Sequence, residues 1–243
     1  MVAGTHRIYS EESGLSTDSS LYLRCMQLGQ MANFVYLIGC QKTRECWVVD
    51  PAWDIPAILE QVEKDEMKLT GALATHYHPD HVGGEVFGME IPGLTHLLEQ
   101  QAIPIHVNKI ELDGVAKASG VSTTDLRGHE GGEEIELGSI RIKLLHTPGH
   151  TPGSQCFLVE GNLISGDTLF VQGCGRTDLP GGNVQDLYKS LNDVLKRLPD
   201  ETRVLPGHQY GADSSTIGEE KAHNPYFQFN SMTEFLGAMG FSA

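Results

Sequence analysis

The stretch Thr75-His76-Tyr77-His78-Pro79-Asp80-His81-Val82-Gly83-Gly84 decides how this chain is read. A run of small and apolar residues (72–75) ends directly in His76, and a potential metal ligand stands at four of the positions from His76 to His81. Pro79 has no N–H and disfavours the helical region for His78, so a rigid irregular loop at the end of a strand is expected. Alternate residues of an extended stretch face one way, so His76 and His78 reach one ion. The turn after Pro79 lets Asp80 and His81 reach another.

Working outward, three further candidates occupy the same kind of position, each just after an apolar run: His150 after IRIKLLHTPG, Asp167 after NLISG and His208 after RVLPG. Loops at one edge of a sheet commonly carry active sites. Five histidines and two aspartates exceed what one tetrahedral ion needs. Two ions about 3.5–4 Å apart, sharing Asp167 as a bridge, would use all seven and would hold a water deprotonated near neutral pH as a hydroxide nucleophile. Imidazoles with carboxylates suit two divalent metal ions, zinc first, with iron or manganese as alternatives; no cysteine lies in the cluster, which argues against a thiolate-rich structural zinc site. His6, His96, His106, His129, His146 and His223 stand outside the cluster. His146 is read as structural, and Asp50, in VVDPAWD at a strand end, as orienting the metal loop.

Short strands are expected at residues 34–38, 46–49, 69–75, 105–107, 140–145, 156–159, 163–165 and 203–205, from apolar runs bounded by turns. A helix at residues 55–64 with Asp54 as N-cap, and another over about 184–198, follow from apolar residues at helical spacing. Strands come both as hairpins, as across Gly161-Asn162, and separated by helices, which points to an α/β sandwich of mixed sheets covered by helices. Residues 87–132, with the helix-like GLTHLLEQQ and many breakers, read as a long excursion over one face. No linker or repeat divides the sequence, so one domain over residues 1–243 is expected, with 1–20 as a loose N-terminal segment.

With 243 residues the chain is long enough to bury about three quarters of its unfolded surface. Its net charge of -15, from 32 acidic and 17 basic residues, disfavours a phosphate backbone as partner, so no nucleic acid is expected. No apolar run reaches a membrane-spanning length and no leader pattern opens the chain, so no membrane association and a cytoplasmic location are expected. Cys25, Cys40, Cys46, Cys156 and Cys174 lack C-x-x-C spacing and most read as buried thiols; Cys174, in the GCGR run, is the one placed for a ligand or redox role, although packing is the leading expectation there too.

At THYHPDH, TPGHTPGS, SGDTLF, GCGRTD and LPGHQYG, in that order, the sequence resembles the metallo-β-lactamase fold superfamily, and most closely its glyoxalase II and persulfide dioxygenase-like branches. The resemblance implies a four-layered αββα sandwich of two mixed β-sheets flanked by helices. It implies that His76, His78 and His150 hold one metal, Asp80, His81 and His208 the other, with Asp167 between them. It also implies Asp80 and Asp167 as catalytic carboxylates, a small-molecule substrate such as a thiol conjugate, and Arg176 and Tyr210 as substrate contacts. The leading expectation is a binuclear thioester hydrolase using a metal-bridging hydroxide.

Departures qualify the branch. GCGR is followed by Thr177-Asp178-Leu179-Pro180-Gly181-Gly182 instead of the FYEG-type segment of glyoxalase II, and residues 209–243 are too few for that branch's glutathione-binding helical region. The GCGRTD run and the tail GEEKAHNP are similar to persulfide dioxygenases, in which one iron is held at positions matching His76, His150 and Asp167. That branch ends its last motif in Ala-His-Asp-Tyr, whereas this chain has Gly207-His208-Gln209-Tyr210. A mononuclear iron dioxygenase is therefore the alternative enzyme, and a non-enzymatic metal-binding protein of the same fold the alternative from another class. No ligand of the motif is missing, which speaks against the latter.

Overall fold

The computed structural model describes residues 7–10 and 20–240, and the chain divides into two compact units. One comprises Met1–His129 with Glu134–Ile142, the other Glu130–Glu133 with Lys143–Ala243. Each is described by itself.

The first unit is organised on a seven-stranded mixed sheet. Strands β1 (Arg7–Ser10), β2 (Leu21–Leu28), β3 (Asn33–Cys40) and β4 (Glu45–Val49) form an antiparallel meander. Helix α1 (Ile55–Lys64) then carries the chain over to β5 (Lys68–Leu73), which pairs parallel to β4. A parallel pair needs such a crossover because a tight turn can only reverse direction. Asp54 caps α1 as expected, its side chain accepting the Ala57 N–H at 3.0 Å. Such a cap is worth about 1 kcal/mol. Ile55, Ile58 and Val62 bury one face of α1 in a core with Val35, Leu37, Val48 and Ala72. Full burial of a valine, leucine or isoleucine contributes about 1.5–3 kcal/mol.

After β5 the chain makes a single helical turn, α2 (Pro79–Val82), and a hairpin of β6 (Gly84–Val86) and β7 (Met89–Ile91). Helix α3 (Leu94–Gln100), β8 (Ile105–Asn108), α4 (Leu112–Ser119) and β9 (Leu126–His129) follow, then β10 (Glu134–Leu137). Residues 87–132 are therefore not an excursion. They supply two sheet strands: β8, expected at 105–107 and parallel to β5, where Ile105 and Val107 are fully buried, and β9, which was not expected, parallel to β8. Strand β2 went unread because Arg24 interrupts its apolar run; the Asp65 carboxylate, 2.7 Å from Arg24 Nε, accepts from it and from the Tyr22 hydroxyl. Residues 7–10 form a strand, unlike the loose segment expected there, while His6 and the rest of 1–19 lie outside the described residues.

The second sheet runs β10-β11-β12-β13-β16-β17, with β11 (Ile140–His146), β12 (Gln155–Val159), β13 (Asn162–Gly166), β16 (Arg203–Pro206) and β17 (Ser215–Thr216). Strands β14 (Leu169–Phe170) and β15 (Gly173–Cys174) form a separate small hairpin. The β12–β13 turn is Glu160-Gly161, both with positive φ, one residue earlier than expected, and Asn162 already belongs to β13. Strands β13 and β16 are parallel and β11 shares their direction through two antiparallel steps, so all three end at one edge. The helix expected over 184–198 is α5 (Val184–Lys189) followed by a wide π turn over Ser190–Val194 and a 3₁₀ turn. At that widening the Ser190 hydroxyl donates to the Pro148 carbonyl at 2.6 Å, tying the helix to the loop that carries His150. Helices α6 (Ile217–His223) and α7 (Met232–Ala238) complete the unit, whose core gathers Leu187, Leu191, Val204, Ile217, Phe227 and Phe235.

Candidate metal-binding residues

In the first unit, β4 and β5 are parallel, so their C-terminal ends deliver Asp50 and His76 to one edge of the sheet. Asp50 is buried and sits at φ 53, a left-handed conformation that asparagine and aspartate tolerate better than most residues. Its Oδ1 accepts the Thr75 N–H at 2.7 Å, and its Oδ2 accepts both the Thr75 hydroxyl at 2.7 Å and His81 Nδ1 at 2.9 Å. Because the Thr75 hydroxyl has one proton and donates it to Asp50, it can only accept from His76 Nδ1, 2.9 Å away. One carboxylate thereby favours the same tautomer in both rings: in the neutral imidazoles of His76 and His81 the proton sits on Nδ1 and Nε2 is the acceptor. Metal-ligating histidines are oriented in this way by their other ring nitrogen.

Pro79 occupies the first helical position of α2 and leaves His78 extended at φ -65, ψ 141, as its ring requires. His78 Nδ1 lies 3.0 Å from His76 Nε2 with the two rings at 86°. Asp80 is clamped by Asn33, whose Nδ2 donates to both its backbone O and its Oδ2 at 3.0 Å, and by Trp53 Nε1, which donates to the same backbone O at 3.1 Å. His81 Nε2 is 3.5 Å from Asp80 Oδ2.

In the second unit, His150, Asp167 and His208 follow β11, β13 and β16, at the common edge of those strands. His150 Nδ1 donates to the Arg176 carbonyl at 2.8 Å, which in the neutral imidazole makes Nε2 the acceptor, 3.6 Å from Asp167 Oδ2. His208 Nε2 lies 3.3 Å from the same oxygen. Two glycines make this approach possible. A Cβ on Gly175 would collide with the Asp167 carbonyl, and one on Gly207 with Asp167 Oδ1. The glycines of GCGR and LPGH are thus packing requirements of Asp167.

The donor set fits a divalent ion. Within each unit the facing ligand atoms are 3.0–3.6 Å apart, and an ion about 2.05 Å from both members of such a pair would see them at about 95–120°, which brackets the tetrahedral angle. Nitrogen and carboxylate donors without thiolate match zinc, iron or manganese.

The remaining candidates divide. Tyr210 is 63% exposed and stacks on the His208 ring at 4.8 Å and 5°, with Phe170 edge-on to it at 4.9 Å. The Arg176 guanidinium makes two 2.6 Å hydrogen bonds to the Asp178 carboxylate, which they hold down at a pKa of about 2. Cys174 lies half-buried against the core of its unit, and burial pushes its thiol up to about 12, as expected of a packing residue. His146 Nε2 bonds the Pro152 carbonyl at 3.0 Å, a structural contact. Sequence reasoning missed Asn33, Trp53, the Thr75 hydroxyl and the Arg176 carbonyl as orienting groups; Thr75 and Arg176 lie inside quoted motifs, but a hydroxyl or carbonyl that orients a ring nitrogen carries no sequence signal of its own.

Residues 28–208 match the Metallo-beta-lactamase superfamily, and the chain belongs to that family. It is 35% identical over 237 residues to the probable hydroxyacylglutathione hydrolase glo2 of Schizosaccharomyces pombe, covering 83% of this chain and 84% of the relative. It is 30% identical over 225 residues to the mitochondrial persulfide dioxygenase ETHE1 of Homo sapiens, covering 90% and 81%. The crystal structure of ETHE1 from Myxococcus xanthus superposes with a TM-score of 0.76 at 33% identity, covering 90% of each chain. The expected fold and both expected branches of resemblance are borne out. Among the described residues no helix is long and apolar enough to cross a membrane.

Proposed function

We propose that the chain is a binuclear metallohydrolase of thioesters or related acyl substrates, in which His76, His78 and His150 would hold one divalent ion and Asp80, His81 and His208 a second, with Asp167 as a ligand to both. The observation that carries this reading is the bracing of the Asp80–His81 pair, Asp80 by Asn33 and Trp53 and His81 by Asp50. A centre using only His76, His150 and Asp167 would use Asp50 to orient His76 through Thr75, but would have no use for the clamping of Asp80 by Asn33 and Trp53. Two bound divalent ions would supply Lewis acidity and a water-derived nucleophile at neutral pH.

The chain's own part is orientation and proton handling. Asp50 fixes the two imidazoles through Thr75 and His81, so their lone pairs need no reorganisation on binding. Asp80, held by Asn33, takes the proton released as the nucleophile attacks. Tyr210 offers an exposed ring as an apolar floor for the acyl group, and Arg176 pairs an anionic substrate group in exchange for Asp178. The described cysteines are all free thiols, which suits a reducing compartment such as the cytoplasm.

The likeness to ETHE1 over 90% of the chain favours a second reading, a mononuclear iron persulfide dioxygenase. One pair of assays separates the two. Thioester cleavage that proceeds under anaerobic conditions supports the hydrolase. Oxygen consumption with glutathione persulfide, and no thioester cleavage, replaces it with the dioxygenase.

A further inference from the structure

The stretch between β7 and β10 supplies no metal ligand, yet it reaches the H-x-H segment from the side. Strand β8 is parallel to β5, so the residues after β8 emerge at the sheet edge where His76 emerges after β5. There Asn108 caps a 3₁₀ turn, its side chain accepting the Ile110 N–H at 3.0 Å, and the next residue but two from it, Glu111, is 2% exposed. Burying a carboxylate is costly unless it is hydrogen-bonded. Glu111 stands at the N-cap of α4 but makes no side-chain cap to its own helix. Its Oε2 instead accepts the N–H of Tyr77, 34 positions earlier, at 2.8 Å. That N–H belongs to the His76–Tyr77 peptide, one of the two that join His76 to His78. One turn into α4, Gly114 faces the Tyr77 ring, where a Cβ would come within 2.8 Å of Tyr77 Cδ1.

We propose that Glu111 is a positioning residue for the metal loop, its buried carboxylate fixing the Tyr77 peptide and thereby the spacing of the His76 and His78 donor atoms. This rests on the reading of His76 and His78 as ligands of one ion. A buried acceptor on the linking peptide restrains both flanking histidines at once, which no contact to either ring alone does. With the loop held, His76 Nε2 and His78 Nδ1 stay at their 3.0 Å separation. The role is that of an acceptor at a fixed reach, so geometry matters more than charge.

The test is zinc affinity of the full chain, measured by competition with a chromophoric chelator, alongside thermal unfolding of the metal-free protein. Glu111→Gln keeps an oxygen at the same reach and is expected to bind zinc within about threefold of wild type. Glu111→Asp keeps the charge but falls one methylene short, and is expected to bind at least about tenfold more weakly, the scale on which supporting residues act. Glu111→Ala should be at least as weak. Binding by Glu111→Asp equal to wild type overturns the inference, as does Glu111→Gln binding as weakly as Glu111→Asp. A loss of thermal stability with unchanged affinity marks Glu111 as merely structural and also overturns it. Wild-type protein that takes up no zinc overturns the underlying reading and this inference with it.

Discussion

Four donors of the first unit occupy six consecutive positions, His76 to His81, while the three donors of the second, His150, Asp167 and His208, stand on separate strand ends. The first set is held from outside by side chains: Asp50 on two imidazoles, Asn33 and Trp53 on Asp80, Glu111 on the linking peptide. The second is held by backbone and by absence of side chain: the Arg176 carbonyl orients His150, and Gly175 and Gly207 let Asp167 approach. A compact motif needs hydrogen-bonding braces because one irregular loop must carry four functional groups. A dispersed one needs close packing, because each donor already sits at the end of a rigid strand.

Predictions follow from opposing the two sets. The largest effect is expected for Asp167→Ala, which removes the carboxylate proposed as the shared ligand. Turnover should fall at least about a hundredfold and metal content should drop from two ions per chain, with the far-ultraviolet circular dichroism unchanged. Unchanged turnover would sink the bridging assignment. Gly207→Ala tests the packing account: its Cβ displaces the Asp167 carboxylate, and an activity loss of roughly tenfold to a hundredfold is expected without any titratable group having changed. Metal analysis beside the rate measurement distinguishes displacement from misfolding.

Asp50→Ala is the counterpart for the first set. Releasing the Nδ1 anchors of His76 and His81 should weaken metal binding about tenfold or more, and the loss should be seen in both sites' ligands because one carboxylate serves both. Chelator competition reads this directly. A further prediction concerns a histidine pair away from the candidate ligands. His106 Nδ1 lies 2.9 Å from His129 Nε2, and the His106 ring stacks on Trp47; burial first, then the nearby His129 and Arg127, push its pKa down to about 4. The unfolded chain, with an ordinary histidine pKa, binds the proton more readily, so stability is full above about pH 6.5 and declines as pH falls towards 4. The contribution is on the order of 2–3 kcal/mol, and His106→Phe should flatten that part of a urea-unfolding pH series.

The same contrast explains what was legible in the sequence. Candidate ligands in HYHPDH and at the ends of apolar runs stand out because residue type and strand periodicity are local signals, and Pro79 announces the extended His78. Asp54 as cap was equally local. The braces could not be read: Asn33, Trp53 and Glu111 meet the loop across 47, 27 and 34 positions. Strand β8 is legible in the apolar run at 105–107, but β9 is hidden among breakers, and Arg24, whose charge Asp65 offsets, disguises β2. The π turn at Ser190 depends on its hydroxyl finding the Pro148 carbonyl, 42 positions away, which no helical periodicity encodes.

The central claim is that the braced first set and the packed second set serve one binuclear centre. Its most direct test is elemental analysis of anaerobically purified protein, with bound metal counted per chain. The account predicts two divalent ions, falling to one or none in Asp167→Ala; a single iron per chain at full activity would contradict it.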